Sequence, residues 1–188
     1  MPLETERLIL REERAEDMPF LVGLRNDLDT QAWSKTLPPD FTEGMYRKRF
    51  EAREFSFNRQ EGRFVMELKE TGEPAGFIVY SELDPRFSAA LGLSLAKKFW
   101  GKGLGLEAQE AVLKFLFEEM GLLVIRLYTH SGNPQAVRLA EKSGFQVSVR
   151  QRQSIFKSGQ MFDNLTMDLL REEYYVRHPE LADGMPAL

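Results

Sequence analysis

The chain has 188 residues, 43% of them hydrophobic, which is enough to bury the core of a single domain. It has no Cys and two His, which excludes disulfides, thiolate zinc sites and a cysteine nucleophile, and we expect no metal. The net charge of -4 argues against general nucleic-acid binding, and the absence of a membrane-length apolar run or a signal sequence favours a cytoplasmic protein.

The first part of the chain predicts one strand and two helices. Residues 7–11 alternate polar and apolar side chains, as an edge-like strand does. Residues 13–17 begin a first helix, and a second helix is expected at about 41–54, after a Pro-Pro-Asp break. Three antiparallel strands are then expected at 63–68, 74–83 and 89–95.

A glycine-rich turn joins the third of these strands to the most amphipathic helix of the chain, at about 104–120. Glycines stand at alternate positions, Gly101, Gly103 and Gly105, where each weakens the start of a helix. Bare main-chain N–H groups at a helix N-terminus can converge on an anion, so the turn predicts a phosphate-binding loop. A purely structural glycine turn is the alternative. Neither the Walker pattern nor the dinucleotide pattern fits these residues.

The last part of the chain predicts a strand, a helix and a closing hairpin. The strand spans 123–128, and Asn133 and Pro134 then provide an N-cap and a first helical turn. The hairpin is expected to pair 146–156 with 161–170, and residues 181–188 to form a frayed tail.

Two motifs carry a family resemblance. The run Trp100-Gly101-Lys102-Gly103-Leu104-Gly105 resembles the acyl-CoA pyrophosphate loop of the GNAT superfamily of N-acetyltransferases, with Trp in the place of Gln or Arg. Residues 133–145 resemble the Asn-x-x-Ser/Ala-x-x-Leu-x-Glu-Lys-x-Gly-Phe signature of the branch that contains the ribosomal-protein alanine N-acetyltransferases. The resemblance implies an α+β, three-layer GNAT fold, with a mixed, mostly antiparallel sheet of about seven strands and about four flanking helices. The domain would span 1–175, followed by a tail at 176–188.

The resemblance also implies a binding site for acetyl-CoA, the cosubstrate. The main chain of one strand end would bind the pantetheine arm and the thioester, the glycine loop would bind the diphosphate, and Asn133 would contact the arm. Arg138 and Lys142 are four residues apart and could face the phosphates from one side of a helix, although a solvated pair is an equal alternative. The cofactor-binding residues expected on these grounds are Leu93, Ser94, Leu95, Trp100, Gly101, Lys102, Gly103, Leu104, Gly105, Asn133, Arg138 and Lys142.

Proton-transfer residues are not evident. Where relatives carry Glu, Ser and Tyr, this chain has Ala90, Ala136 and Ala140. Glu82 and His130 remain as weak candidates for a base. Tyr80, Tyr128 and Ser131 are candidate acids, and the catalytic residues stay unassigned.

The acceptor is equally open. In the family the segment after the first strand overhangs the acceptor pocket, so Trp33, Phe41, Tyr46, Arg49 and Arg53 could touch it, although packing and surface roles are the commoner use of such residues. The sequence therefore predicts acetyl transfer from acetyl-CoA, by direct attack in a ternary complex, to a primary amine of a protein N-terminus or a small molecule. The alternative is an acyl-CoA-binding module with little or no catalysis. A homodimer is left open.

Overall fold

In the part of the chain that the structure describes, the strands form one central sheet of eight. The structure is a computed structural model that describes residues 2–31, 41–54 and 61–184. The strands are β1 Leu3–Glu4, β2 Leu8–Glu12, β3 Gly62–Leu68, β4 Pro74–Asp84, β5 Ser88–Leu95, β6 Val124–His130, β7 Gln146–Lys157 and β8 Gln160–Leu170. Their spatial order is β1-β2-β3-β4-β5-β6-β8-β7, and each neighbouring pair is antiparallel except β5 with β6.

Helices cover both faces of the sheet. They are α1 Met18–Asn26, α2 Leu28–Gln31, α3 Glu43–Glu54, α4 Leu104–Lys114, α5 Pro134–Lys142 and α6 Arg171–Arg177. A π-helical turn, Phe115–Glu119, continues α4, and short 3-10 helices occupy Ala15–Asp17, Lys97–Phe99 and Pro179–Gly184. In the described part of the chain, no helix is both long and apolar enough to cross a bilayer.

Alternation along the strands separates two hydrophobic clusters. In β3, Met66 belongs to the larger cluster beneath α4, α5 and α6, whereas the adjacent Val65 belongs to the smaller cluster beneath α1 and α3. Both side chains are fully buried, because successive residues of a strand point to opposite faces. The arrangement is therefore three layers, with helices on either side of a mixed sheet, and it confirms the predicted α+β fold class.

The structure differs from the sequence predictions mainly at the chain termini. The eighth strand is β1, whose two residues pair with β2 through a turn in which Thr5 N donates to Leu8 O at 3.0 Å. The first helix begins at Met18 rather than at 13–17, because Asp17 accepts the Arg14 N–H at 2.8 Å and a 3-10 turn forms first.

Helix α6 was not anticipated; its Tyr174 is buried against Phe117, with ring centroids 4.8 Å apart. The expected frayed tail is a 3-10 helix as far as Gly184, and 185–188 lie outside the described residues.

Candidate active site

A gap opens in the sheet where β5 and β6 separate. Their parallel pairing runs from Ser88 opposite Val124 to Leu91 opposite Leu127 and ends there. Beyond that point residues 92–95 remain paired with β4, while residues 128–130 remain paired with β8. The gap-facing main-chain groups of Leu93, Ser94 and Leu95 thus have no β6 partner in this register, which leaves an edge that an extended ligand can bind.

The glycine loop lies at the open end of this gap. After β5 the chain makes the 3-10 turn Lys97–Phe99 and then two left-handed residues, Gly101 with φ 72° and Gly103 with φ 80°. Gly103 is the N-cap of α4, and residues 101–103 are exposed. The first N–H groups of α4, which have no partners within the helix, therefore directly follow an exposed turn, at the positive end of the helix dipole. This is a suitable site for a phosphate group.

The third glycine of the loop allows close packing. A Cβ at Gly105 would lie 3.3 Å from Leu95 Cδ1 and 3.6 Å from Leu139 Cδ2. Gly105 therefore brings the first turn of α4 against the free end of β5 and against α5. The loop is held beside the strand end whose main chain faces the gap.

Trp100 also fixes the loop to the strand. Its indole Nε1 donates a hydrogen bond to Leu95 O at 2.7 Å, and the residue is half-buried. In the resemblance this position belongs to a Gln or Arg. Here the indole N–H is hydrogen-bonded to the protein's own main chain, so Trp100 helps to fix the shape of the loop.

The N-terminal segment holds the same loop from the other side. Glu107, in the first turn of α4, accepts hydrogen bonds from Thr5 Oγ1 at 2.5 Å and from Arg7 N and Nε at 2.7 Å each. Arg7 Nη1 also donates to Lys102 O at 2.9 Å. Burial alone would raise the pKa of Glu107, but the hydrogen bonds from Thr5 and Arg7 outweigh it and the pKa is lowered. Glu107 is thus a fixed anion, and we call the set of contacts between Thr5, Arg7, Lys102 and Glu107 the clamp.

Helix α5 begins close to the end of β6. Asn133 is its N-cap, with Oδ1 accepting the Ala136 N–H at 3.1 Å, which is the capping role expected from the sequence. Arg138 and Lys142 are both exposed. Arg138 Nε donates to Pro134 O at 3.2 Å, and the exposure of both residues places the two cations on the solvent side of the helix.

Comparison with known proteins agrees with this geometry. Residues 7–146 match the family described as acetyltransferase (GNAT) domain. The chain belongs to the GNAT acetyltransferase family. It is 27% identical to an uncharacterized N-acetyltransferase, p20, of Bacillus licheniformis over 92% of this chain and 97% of that protein. It is 28% identical to a putative ribosomal N-acetyltransferase, YdaF, of Bacillus subtilis over 55% of this chain and 57% of that protein.

Solved structures share the GNAT fold. Spermidine N-acetyltransferase from Vibrio cholerae, in complex with CoA and spermine, superimposes with a TM-score of 0.80 over 89% of this chain and 97% of that chain, at 24% identity. An acetyltransferase of the GNAT family from Bacillus anthracis gives a TM-score of 0.76 at 23% identity, over 92% and 99% of the two chains. These likenesses confirm the predicted fold.

The structure separates the two candidate bases of this GNAT protein. His130 is the last residue of β6, not part of a loop as expected, and only 1% of it is exposed. Its ring packs against Phe162, with centroids 5.5 Å apart. Glu82 is exposed and accepts a hydrogen bond from Tyr128 Oη at 2.9 Å. Of the two, Glu82 is the one a diffusing substrate can reach.

The candidate acids are also distinguished by their surroundings. Tyr80 packs into the larger core cluster beside Phe64 and Phe115, on the α4 side of the sheet. Ser131 Oγ accepts the Asp163 N–H at 3.0 Å and so joins the end of β6 to β8. Tyr128 is 42% exposed and is the first residue of β6 past the last pair with β5. It therefore stands at the closed end of the gap.

The residues expected to touch an acceptor are partly structural. Tyr46 is buried in the smaller cluster, and Phe41 meets its ring edge-on at 6.1 Å between centroids. Arg49 is exposed on α3. Trp33 lies outside the described residues, and so does the side chain of Arg53.

Proposed function

We propose that this GNAT protein transfers an acetyl group from acetyl-CoA to a primary amine. The observation that carries the proposal is the end of β5–β6 pairing at Leu91 and Leu127, directly behind a glycine loop at a helix N-terminus. One end of that gap can hold a diphosphate, and its wall is the β5 main chain that lacks a β6 partner, with only Leu95 O taken by the Trp100 indole among the described residues. A long, flexible thioester with a diphosphate at one end fits this combination.

The proposed cosubstrate contacts follow the gap from its open end inwards. The N–H groups of the loop and of the first turn of α4 would bind the diphosphate, and the main chain of β5 would bind the pantetheine arm. Asn133, at the start of α5, would contact the pantetheine arm while keeping its capping hydrogen bond. The two exposed cations of α5, Arg138 and Lys142, would face the phosphates. The cosubstrate-binding residues are thus Leu93, Ser94, Leu95, Trp100, Gly101, Lys102, Gly103, Leu104, Gly105, Asn133, Arg138 and Lys142.

The chemistry requires little more than alignment. A thioester is an activated acyl donor, so the protein must place the amine near the carbonyl carbon and stabilise the oxygen that becomes negative. Main-chain N–H groups of β5 that lack a β6 partner are suitable donors to that oxygen. Direct attack in a ternary complex then needs no covalent enzyme intermediate.

The acceptor belongs to one of two classes, a small amine or a protein N-terminus. The Vibrio cholerae neighbour is a spermidine N-acetyltransferase, and YdaF is a putative ribosomal N-acetyltransferase. Polyamines and N-terminal peptides of ribosomal proteins are therefore the first acceptors to test.

A binding module with little catalysis is the second candidate, and three alanines favour it. Ala90, Ala136 and Ala140 carry no proton-transfer group, and Ala140 is fully buried. Under this alternative the protein would bind acetyl-CoA without releasing thiol. Amine-dependent thiol release well above the blank would exclude it.

A matched pair of glycine variants tests the binding site. Gly101 and Gly72 have φ of 72° and 70°, and a Cβ at either would find nothing within 4 Å among the residues that the structure describes. Substitution of either glycine by alanine should therefore introduce a similar backbone strain, which lowers the free energy of unfolding by about 1 kcal/mol. We expect Gly101→Ala to raise the Kd for CoA about tenfold by calorimetry, since it reshapes the loop, and Gly72→Ala to leave that Kd unchanged. Equal Kd values for both variants, or no binding by the unmodified protein, would refute the site.

A further inference from the structure

Glu82 and Tyr128 form a hydrogen bond that bridges two strands which are not neighbours. Glu82 is on β4 and Tyr128 on β6, with β5 between them, yet the Tyr128 Oη to Glu82 Oε2 distance is 2.9 Å. Tyr128 immediately follows Leu127, the last β6 residue paired with β5. The carboxylate is therefore held at the closed end of the gap, where the proposed path of the pantetheine arm ends.

The β4 backbone is distorted where it presents this carboxylate. The register between β4 and β5 shifts between Ser81 and Asp84, and Glu82 has a φ of 52°. A non-glycine residue in the left-handed region is costly, and bulges of this kind commonly redirect a side chain beside a functional site. Here the distortion accompanies a polar contact across the sheet and no gain in burial, since Glu82 is exposed.

Small residues on β5 leave room beneath the bridge. Ala90 lies opposite Ser81 on β4 and opposite Arg126 on β6. Two residues further on, a Cβ at Gly92 would meet Val79 Cγ1 at 3.7 Å and no other atom of the described chain within 4 Å. Both positions alternate with Ala89 and Leu91, which face α4, so both face the side on which Tyr128 stands. A larger residue at Ala90 would compete with the Glu82 carboxylate for this space.

We propose that Glu82 is the general base of the acetyl transfer and that Tyr128 is the positioning residue that orients its carboxylate. The proposal rests on the proposed function. It assigns the base to β4, so that Ala90 on β5 is a consequence of this placement and not a sign of lost catalysis. Across the bridge Glu82 meets the hydroxyl of Tyr128, and the charge of Arg126, on the same face of β6, acts on that hydroxyl.

The proton inventory of the step is simple. The Glu82 carboxylate accepts one proton from the acceptor ammonium and so makes the nitrogen lone pair available. The C–N bond forms, the C–S bond breaks, and the second proton of the nitrogen passes to the leaving thiolate. Glu82 then returns its proton to solvent. Burial and the hydrogen bond to Glu82 raise the pKa of Tyr128, so its hydroxyl remains a donor to the carboxylate throughout.

The first test is Glu82→Gln, with Glu70→Gln as a control. Glu70 is an exposed glutamate in the turn between β3 and β4. With acetyl-CoA and spermidine, or an N-terminal peptide of a ribosomal protein if that is the better acceptor, we expect Glu82→Gln to lower kcat about 100-fold near neutral pH. We expect the Kd for CoA to stay within about twofold, because the carboxylate is not part of the CoA site, and Glu70→Gln to keep both values.

The pH profile distinguishes a base from a structural role. The difference in kcat between Glu82→Gln and the unmodified protein should shrink as the pH rises towards the pKa of the acceptor amine. At that pH the amine is already deprotonated in solution and needs no base on the protein. Tyr128→Phe, which keeps the ring, should lower kcat about tenfold, and the double variant should be no slower than Glu82→Gln alone.

Two results would overturn the assignment. One is a Glu82→Gln kcat within about twofold of the unmodified value at neutral pH, and the other is a deficit that is the same at every pH. Failure of the unmodified protein to bind CoA would instead refute the proposed function, so the two failures are distinguishable.

Discussion

Arg7 and Glu107 are 100 residues apart in the chain and are joined by two hydrogen bonds of 2.7 Å, one from the Arg7 main-chain N–H and one from its Nε. Because Arg7 also donates to Lys102 O, a single side chain connects the glycine loop to the helix that follows it. Only 16% of the Glu107 side chain is exposed, and charge-assisted hydrogen bonds of this kind are stronger than neutral ones. The N-terminal segment thus helps to fix the shape of the proposed diphosphate site.

We therefore expect Glu107→Gln to weaken CoA binding. The amide keeps the volume but loses the charge that accepts from both Arg7 and Thr5, so the loop should sample other shapes and the Kd for CoA should rise about fivefold. Glu119→Gln is the control, since Glu119 is an exposed glutamate of the π-helical turn that continues α4. Calorimetric titration of both variants measures the difference. An unchanged Kd in Glu107→Gln would show that the clamp does not contribute to binding.

Much of the fold could be predicted from local sequence patterns. Short apolar runs bounded by turn residues located β3, β4 and β5 to within one residue, because a strand with one face in each hydrophobic cluster is apolar on both sides. Asn133, Pro134 and Gly144 marked both ends of α5 correctly, since capping depends on neighbouring residues alone. The glycine loop was found because its backbone conformation requires glycine.

The missed features depend on contacts distant in sequence. Helix α6 is stabilised by the burial of Tyr174 against Phe117, and the residues around Tyr174 in the sequence do not predict that contact. The Glu82 to Tyr128 bridge spans 46 positions and needs both a bulge and a small residue on the intervening strand. His130 was assigned to a loop because its neighbours Ser131 and Gly132 favour turns, whereas pairing with Asn164 extends β6 through it.

Acid should destabilise the protein partly through Asp17. This carboxylate is 5% exposed and accepts two 2.8 Å hydrogen bonds from Arg11. Burial raises the pKa of Asp17, but the hydrogen bonds from Arg11 and from the Arg14 main chain outweigh it, so the net shift is downward. A lowered folded-state pKa means that the stabilisation is complete above the unfolded value of about 3.9 and is lost as the pH falls through the folded value.

Melting temperatures of Asp17→Asn at several pH values test this sign. At pH 7 the variant should be less stable by about 2 kcal/mol, because Arg11 loses a buried partner. The difference from the unmodified protein should stay constant down to about pH 5 and narrow below about pH 4. Glu16→Gln removes a charge from an exposed neighbour in the same 3-10 turn and should show neither effect. A difference that widens in acid would contradict the assigned shift.

Gln109 offers a stabilising substitution. Its side chain on α4 is 0% exposed, and among the described residues neither amide atom has a hydrogen-bond partner. A buried amide without partners costs free energy, and methionine has a similar length and flexibility without that cost. We expect Gln109→Met to raise the free energy of unfolding by about 1 kcal/mol and the melting temperature by about 2 to 4 °C. Gln135→Met, at an exposed position of α5, is the control and should change neither. A lower melting temperature for Gln109→Met would mean that the amide is satisfied by an internal water molecule.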